Sequence, residues 1–422
     1  MLTDYYQSKN YVERLCSGPT GPYIAQFGDA LWEAGYAEIT ARRHIRAAQH
    51  LICWGQSHHI PLAKMDDIQV ERFKRHLSRC RCPSVGARAY GCSDRRALVT
   101  GAHLFIGHLQ RVNVIPRCAD PGKKPKTPPL LDAFCQWMRV NYNIAEVTLY
   151  NYSLGIRDLL KAVGDDASRL DAQQLRKFVL DQSRRSGRAK AKTVVTGLRA
   201  FVRFLITAGL CPVGLDAAIP TLAHWHLSTL PRYLQAEEVE RIVAACSPHT
   251  AVGLHDRAIV LLLARLALRA GDIVHLRLSD IYWKEGWILV SGKGRRENRL
   301  PLPKEAGEAI AAYVTRARPS VDTDTLFVRS RAPLRGFASH AAISVIVAQA
   351  IRRAGVHCPS RGAAHVLRHS AATTMLRQGA SLQEIAAVLR HRSIATTSIY
   401  AKVDVLALRE IAQPWPGEVQ PC

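Results

Sequence analysis

No apolar run in this chain approaches the roughly 20 residues that a bilayer-spanning helix needs. The longest candidate, AIVLLLARLAL, is short and is broken by Arg265, so it reads as a buried core helix. The amino terminus, MLTDYYQSKNYVERLC, lacks the basic stretch followed by an apolar one that marks a secretory signal. A cytoplasmic location, with no membrane partner, is therefore expected. Acidic residues are scarce too: 34 Asp plus Glu stand against 58 Lys plus Arg, a formal charge of +24. That excess suits a polyanion, nucleic acid before a membrane surface. Core material is not lacking, since 48% of the 422 residues are hydrophobic, enough for two or three domains.

A disulfide framework is excluded by similar reasoning. Eleven cysteines, an odd number scattered through a long chain without a secretion signal, read as reduced thiols. His76, Cys80, Cys82 and Cys92 are close enough in sequence to suggest zinc. However, Cys-x-Cys lacks the usual knuckle spacing and no matching second pair follows, so no metal is expected.

The chain resembles itself. Ile39-Thr40 matches Val147-Thr148, Phe73 matches Phe178, and VTGAHLFIGHL from Val99 matches VTGLRAFVRFL from Val195. Pro116 and Pro212 close the two units. The first copy is the longer, most of its extra residues falling where CRCPSVGARAYGC lies, as expected of a loop inserted in a shared helical unit. Apolar residues recur at three- and four-residue spacing in HIRAAQHLICW and NYSLGIRDLLKAV, which predicts helices in both copies. DPGKKPKTPP, Asp120 to Pro129, cannot form a helix interior and reads as a linker. A second break precedes Arg232. The expected organisation is a helical DNA-binding-like domain over 1–118, its repeat over 130–212, and a third domain over 232–422.

That third domain opens with helical patterns and then changes period. DIYWKEGWILV predicts two strands joined by a Lys-Glu-Gly turn, and ENRLPLP a third, so a small antiparallel sheet is expected around Asp280 to Leu302. Helix returns from AISVIVAQAIRRAG onward. Six chemistry-bearing residues follow in order: Arg269 in ALRAGDIVHLRLSDI, Lys293 in SGKGRRENRLPLP, His365 and Arg368 in HVLRHSAATTML, then His391 and Tyr400 in HRSIATTSIYAKVD. Each alone has an ordinary reading, such as a solvated helix arginine, a basic turn or a packing tyrosine. Their joint occurrence in a basic chain points elsewhere.

This order resembles the tyrosine recombinase family of phage integrases and Xer- and Cre-like enzymes. The resemblance covers the chain from about residue 233, and 130–212 is similar to that family's core-binding domain. It implies a mainly α fold with a small antiparallel sheet in the catalytic domain, preceded by tandem helical bundles of the SAM-like core-binding type. It implies site-specific DNA recombination through a covalent 3′-phosphotyrosyl intermediate, on a mobile element, with no metal or other cofactor because the intermediate conserves the bond energy. Tyr400 would be the nucleophile, Arg269 and Arg368 the clamp on the phosphate, His365 the base or hydrogen-bond partner, Lys293 the general acid and His391 a donor to the scissile phosphate.

The chemistry explains the residue types. Attack on a phosphodiester builds negative charge, which paired guanidinium donors suit, and a phenol of pKa ~10 needs its proton removed or its phenolate stabilised. Asp272 would support the arginine. The family has Leu-Gly-His where this chain has Leu389-Arg390-His391, so the turn there is expected to differ. Lys190, Lys192, Arg295 and Arg296 are candidate phosphate contacts. The implied partners are double-stranded DNA, a homo-tetramer on two sites and accessory recombination proteins, and the implied location is the nucleoid. Two rivals share parts of this pattern: a type IB topoisomerase-like relaxing enzyme, and a non-catalytic DNA-binding protein on the same scaffold.

Overall fold

The computed structural model describes residues 2–80, 95–116, 128–164, 170–222, 230–291, 297–360, 362–391, 393–403 and 408–409. The chain divides into two compact units, Met1–Arg117 with Thr229–Cys422, and Cys118–Ser228. Within them the buried apolar side chains form separate clusters.

In the first unit, α1 (Leu2–Tyr5), α2 (Lys9–Cys16), α3 (Gly21–Glu33), α4 (Glu38–Ser57), α5 (Asp67–His76) and α6 (Arg95–Arg111) enclose a core that includes Phe27, Ile45, Leu51, Phe73 and Phe105. Asp66 starts α5 by accepting the Gln69 amide at 2.9 Å. His50 is fully buried on α4, edge-on to Phe73 at 5.0 Å and to His76 at 5.4 Å. Burial first, and His76 second, lower its pKa to about 4, so the ring is neutral at physiological pH.

The second unit holds α7 (Pro129–Tyr142), α8 (Glu146–Val163), α9 (Ala172–Arg185) and α10 (Arg188–Thr207) around Phe134, Ile156, Leu159 and Phe201. Asp171 and Gln174 form a reciprocal capping box at the start of α9. The helix starts Glu38 and Glu146 keep the sequence offset of Thr40 and Thr148, and Asp67 and Ala172 keep that of Phe73 and Phe178. The shared VTG glycines occupy equivalent close crossings. A Cβ on Gly101 would lie 2.6 Å from Ala47 Cβ, and one on Gly197 would lie 3.0 Å from Tyr152 Cβ. Side chains larger than hydrogen would push α6 from α4 and α10 from α8.

From residue 230 the fold is α11 (Ala236–Ala244), α12 (Ala251–Arg265), α13 (Ala270–His275), strands β1 (Ile281–Tyr282), β2 (Trp287–Ser291) and β3 (Glu297–Pro301), then α14 (Lys304–Arg316), α15 (His340–Arg353), α16 (Ala363–Arg377) and α17 (Leu382–Leu389). The expected sheet is present, antiparallel in the order β1-β2-β3, with Ile281 opposite Ile288 and Ser291 opposite Glu297. Helix α12 is the hub: Ile259 to Leu263 are fully buried, and α14, α15 and α16 pack on it. This is why AIVLLLARLAL is apolar all round. Arg265 ends it, bridging Glu240 at 2.9 Å and Glu305 at 3.0 Å. A smaller cluster of Ala267, Ala371, Ala372, Leu376, Ile385 and Leu389 surrounds Tyr400. Among the described residues no helix is long and apolar enough to cross a membrane.

Candidate active site

The chain leaves α12 through Ala267, which is buried with φ 50°, and this turn presents Arg269 at the start of α13. Asp272, one turn later, accepts the Arg269 amide at 2.9 Å and so fixes that start. Arg368 projects from α16 and is 3% exposed. Its two terminal nitrogens donate to the carbonyls of Ala267 and Leu389. Arg269 Nη2 reaches the same Leu389 carbonyl at 3.2 Å and that of Arg390 at 3.0 Å. Two guanidinium groups thus meet at the end of α17.

The turn after α17 keeps a glycine-type geometry without glycine, contrary to the expectation that Arg390 alters it. Arg390 has φ 53° and ψ 49°; its amide bonds Ala387 O and the His391 amide bonds Ala386 O, each at 3.0 Å. This is the Schellman closure of a helix. A non-glycine residue in that region loses roughly 1–2 kcal/mol. A buried ion pair between Arg390 Nη2 and Asp272 Oδ2, both side chains 6% exposed, offsets it. Arg390 Nε and Nη1 are buried without a hydrogen-bond partner.

His391 therefore emerges from a defined turn, its Nδ1 2.8 Å from the buried Thr397 hydroxyl. Burial, then Arg368 and Arg269, lower its pKa to about 4. Tyr400 begins a short 3₁₀ turn, Tyr400–Val403, and is only 2% exposed. Its hydroxyl lies 2.8 Å from His369 Nδ1, where the expected base or hydrogen-bond partner was His365. His365 and His369 are one helical turn apart on α16 with ring centroids 4.2 Å apart. Burial, then His365, holds His369 at about 4, so its ring is neutral and can accept the phenolic proton. His365 is itself lowered by burial, Arg368 and Arg269. Burial pushes the Tyr400 hydroxyl up to about 12, with Arg368 pulling the other way.

Arg269, His365, Arg368, His391 and Tyr400 are thus brought together. Lys293, Arg295 and Arg296 lie outside the described residues. Lys190 and Lys192 are exposed on α10 in the second unit. Sequence reasoning missed two members: His369, signalled by its i+4 spacing from His365, and Arg390, met only as a departure from glycine. The electrostatics are unbalanced. Among the described residues three guanidinium groups face one carboxylate, and burial together with Arg269 and Arg390 lowers the Arg368 pKa to about 9, still charged at neutral pH. An added anion with several acceptor oxygens would relieve this repulsion.

Residues 232–406 match the model of the phage integrase family. The protein y4rA of Sinorhizobium fredii (strain NBRC 101917 / NGR234), which its name places among integrases and recombinases, is 37% identical over 415 residues, 97% of this chain and 98% of its own. The tyrosine recombinase XerC of Pseudomonas aeruginosa (strain LESB58) is 30% identical over 292 residues, 67% of this chain and 92% of its own. Among solved structures, the XerH site-specific recombinase bound to palindromic difH substrate in a post-cleavage complex shares the fold. Its TM-score is 0.54 at 21% identity, over 66% of this chain and 82% of that one.

Proposed function

We propose, from the premise that this chain belongs to the tyrosine recombinase (phage integrase) family, that it cuts and rejoins DNA at specific sites through a covalent 3′-phosphotyrosyl intermediate on Tyr400. The observation that carries this reading is the convergence of Arg269 and Arg368 on the end of α17, beside three histidines and the Tyr400 hydroxyl, with Asp272 pairing to Arg390 and capping Arg269 as the one carboxylate of the cluster among the described residues. A phosphodiester supplies the missing anion. As Tyr400 Oη bonds to phosphorus, its proton passes to His369 Nδ1 and the 5′-oxygen leaves with a proton from Lys293. The guanidinium groups hold the added charge of the transition state. Attack by a 5′-hydroxyl from another strand reverses the step, so no external energy source is needed.

Each chain offers one such tyrosine while two duplexes contain four strands, which supports a tetramer working on two DNA sites. The y4rA likeness along nearly the whole chain supports a role in moving a genetic element. The three-domain organisation, 1–118 and 130–212 as a helical repeat gripping DNA and 232–422 as catalyst, is part of this reading, supported by the shared helix offsets and equivalent glycine crossings. Lys190 and Lys192 would contact phosphates. The location is the cytoplasm, on the nucleoid.

The test is to incubate wild type and Tyr400→Phe with nicked DNA covering both flanks of the gene and to look for an SDS-resistant protein–DNA adduct. The expected result is an adduct with wild type alone while both proteins shift the DNA. An adduct formed equally by Tyr400→Phe would remove Tyr400 as nucleophile, and DNA shifts without any adduct would favour a binding protein.

A further inference from the structure

Outside the recombination site, one cluster has the chemistry of a metal site. Donor atoms of His50 on α4, His76 at the last position of α5 and Cys80 just beyond it all lie within 4.8 Å of one another. His50 Nε2 is 3.3 Å from Cys80 Sγ. Two ligands on one tetrahedral zinc, at about 2.3 Å for sulfur and about 2.0 Å for nitrogen, stand about 3.5 Å apart. The observed separation therefore leaves room for an ion after small side-chain rotations. A thiol–imidazole hydrogen bond accounts for the pair, and His76 beside it adds a third donor atom of the kind zinc takes.

The surroundings favour a soft cation held in place. His50 is fully buried and its Nδ1 has no hydrogen-bond partner, so the ring's polar contact is the Nε2 one to Cys80 Sγ, the nitrogen that would turn to an ion. Phe73 lies edge-on to the His50 ring, and Phe73 and Trp54 pack beside His76. The donor set has nitrogen and sulfur and no carboxylate, which disfavours magnesium and calcium and favours zinc.

The repeat sharpens the point. At the offsets that align α4 with α8 and α5 with α9, the three positions become Asp158, Asp181 and Arg185, so the set is peculiar to the first copy. Sequence spacing weighed His76 and Cys80 and set them aside, missing His50 because it comes from a different helix and precedes Cys80 by 30 residues. We propose that His50, His76 and Cys80 supply three ligands to a zinc ion that pins the end of α5 to α4, water taking the fourth position, independently of the recombination reading.

The experiment uses full-length protein without an affinity tag, grown with zinc and separated from loose metal by gel filtration in chelator. Metal content is then measured for wild type, Cys80→Ser, His76→Ala and the control Cys16→Ser. The expected result is close to one zinc per chain in wild type and Cys16→Ser, and its loss in the other two. Cobalt reconstitution should give a near-ultraviolet thiolate charge-transfer band that Cys80→Ser abolishes. To guard against misfolded variants, stripped wild type is alkylated with and without added zinc. Zinc should protect Cys80 while the exposed Cys16 and Cys53 react unchanged. Wild type without metal or cobalt band, full zinc in Cys80→Ser, or Cys80 alkylated equally with and without zinc would each overturn the proposal.

Discussion

Asp272 performs two tasks with one oxygen, accepting the Arg269 amide and pairing with the Arg390 guanidinium. Removing it leaves a buried cation without a counter-ion, so Asp272→Ala should lower unfolding free energy by about 3 kcal/mol. The double variant Asp272→Ala/Arg390→Gly should recover most of that loss, because glycine accepts φ 53° without strain. Urea unfolding of the three proteins checks both. The histidines give a pH signature. His369 and His391 titrate near 4 when folded, against 6.5 for a free imidazole. Between those values the unfolded chain binds more protons, so stability should be full above pH 6.5 and fall steadily as pH drops toward 4. A flat urea midpoint across that window would refute the neutral, buried state of these rings. Most of the candidate site was legible in sequence because Arg269, His365, Arg368, His391 and Tyr400 follow in a recognisable order. The choice between His365 and His369 was not, since both lie on one face of α16 and only the packing of Tyr400 decides which ring it meets.

At the scale of elements, α17 aims His391. Its start is fixed by a capping box in which Ser381 and Glu384 bond reciprocally, Ser381 N–H to Glu384 Oε2 at 2.8 Å and Glu384 N–H to Ser381 Oγ at 3.2 Å. Ser381→Ala should lower stability by only about 1 kcal/mol. Because α17 has eight residues, fraying reaches the Leu389 carbonyl on which both arginines rest. Adduct formation should therefore fall several-fold more than DNA binding, as read by gel assay and fluorescence anisotropy on the same DNA. The strands were legible from their change of period and the Lys-Glu-Gly turn. The turn at Arg390 was not, because propensity argues for glycine and the compensating carboxylate lies 118 residues earlier. The His50 cluster escaped for the same reason, a contact made by packing of helices rather than by neighbouring residues.

For the molecule as a whole, the charge of +24 makes DNA affinity a matter of counter-ions. Each neutralised phosphate contributes about −0.9 to the slope of log affinity against log salt. Lys190→Ala/Lys192→Ala should make that slope shallower by about 2 units if both touch phosphate, weakening binding evenly across sequences. An unchanged slope in anisotropy titrations from low to moderate salt would take α10 off the DNA-facing surface. The helices of both copies were readable because two copies of one pattern reinforce each other, whereas the reason for their shared glycines, helix axes crossing too closely for a side chain, appears only in the packing. The burial of Tyr400 reaches beyond the site. A nucleophile that is 2% exposed, still protonated at neutral pH and hydrogen-bonded to a neutral ring would, on the proposed reading, stay chemically silent until it is uncovered. On the proposed reading, a cell can hold many copies of a strand-cutting protein with little stray damage to its chromosome. Genome safety then depends on what frees the tyrosine rather than on how few copies are made.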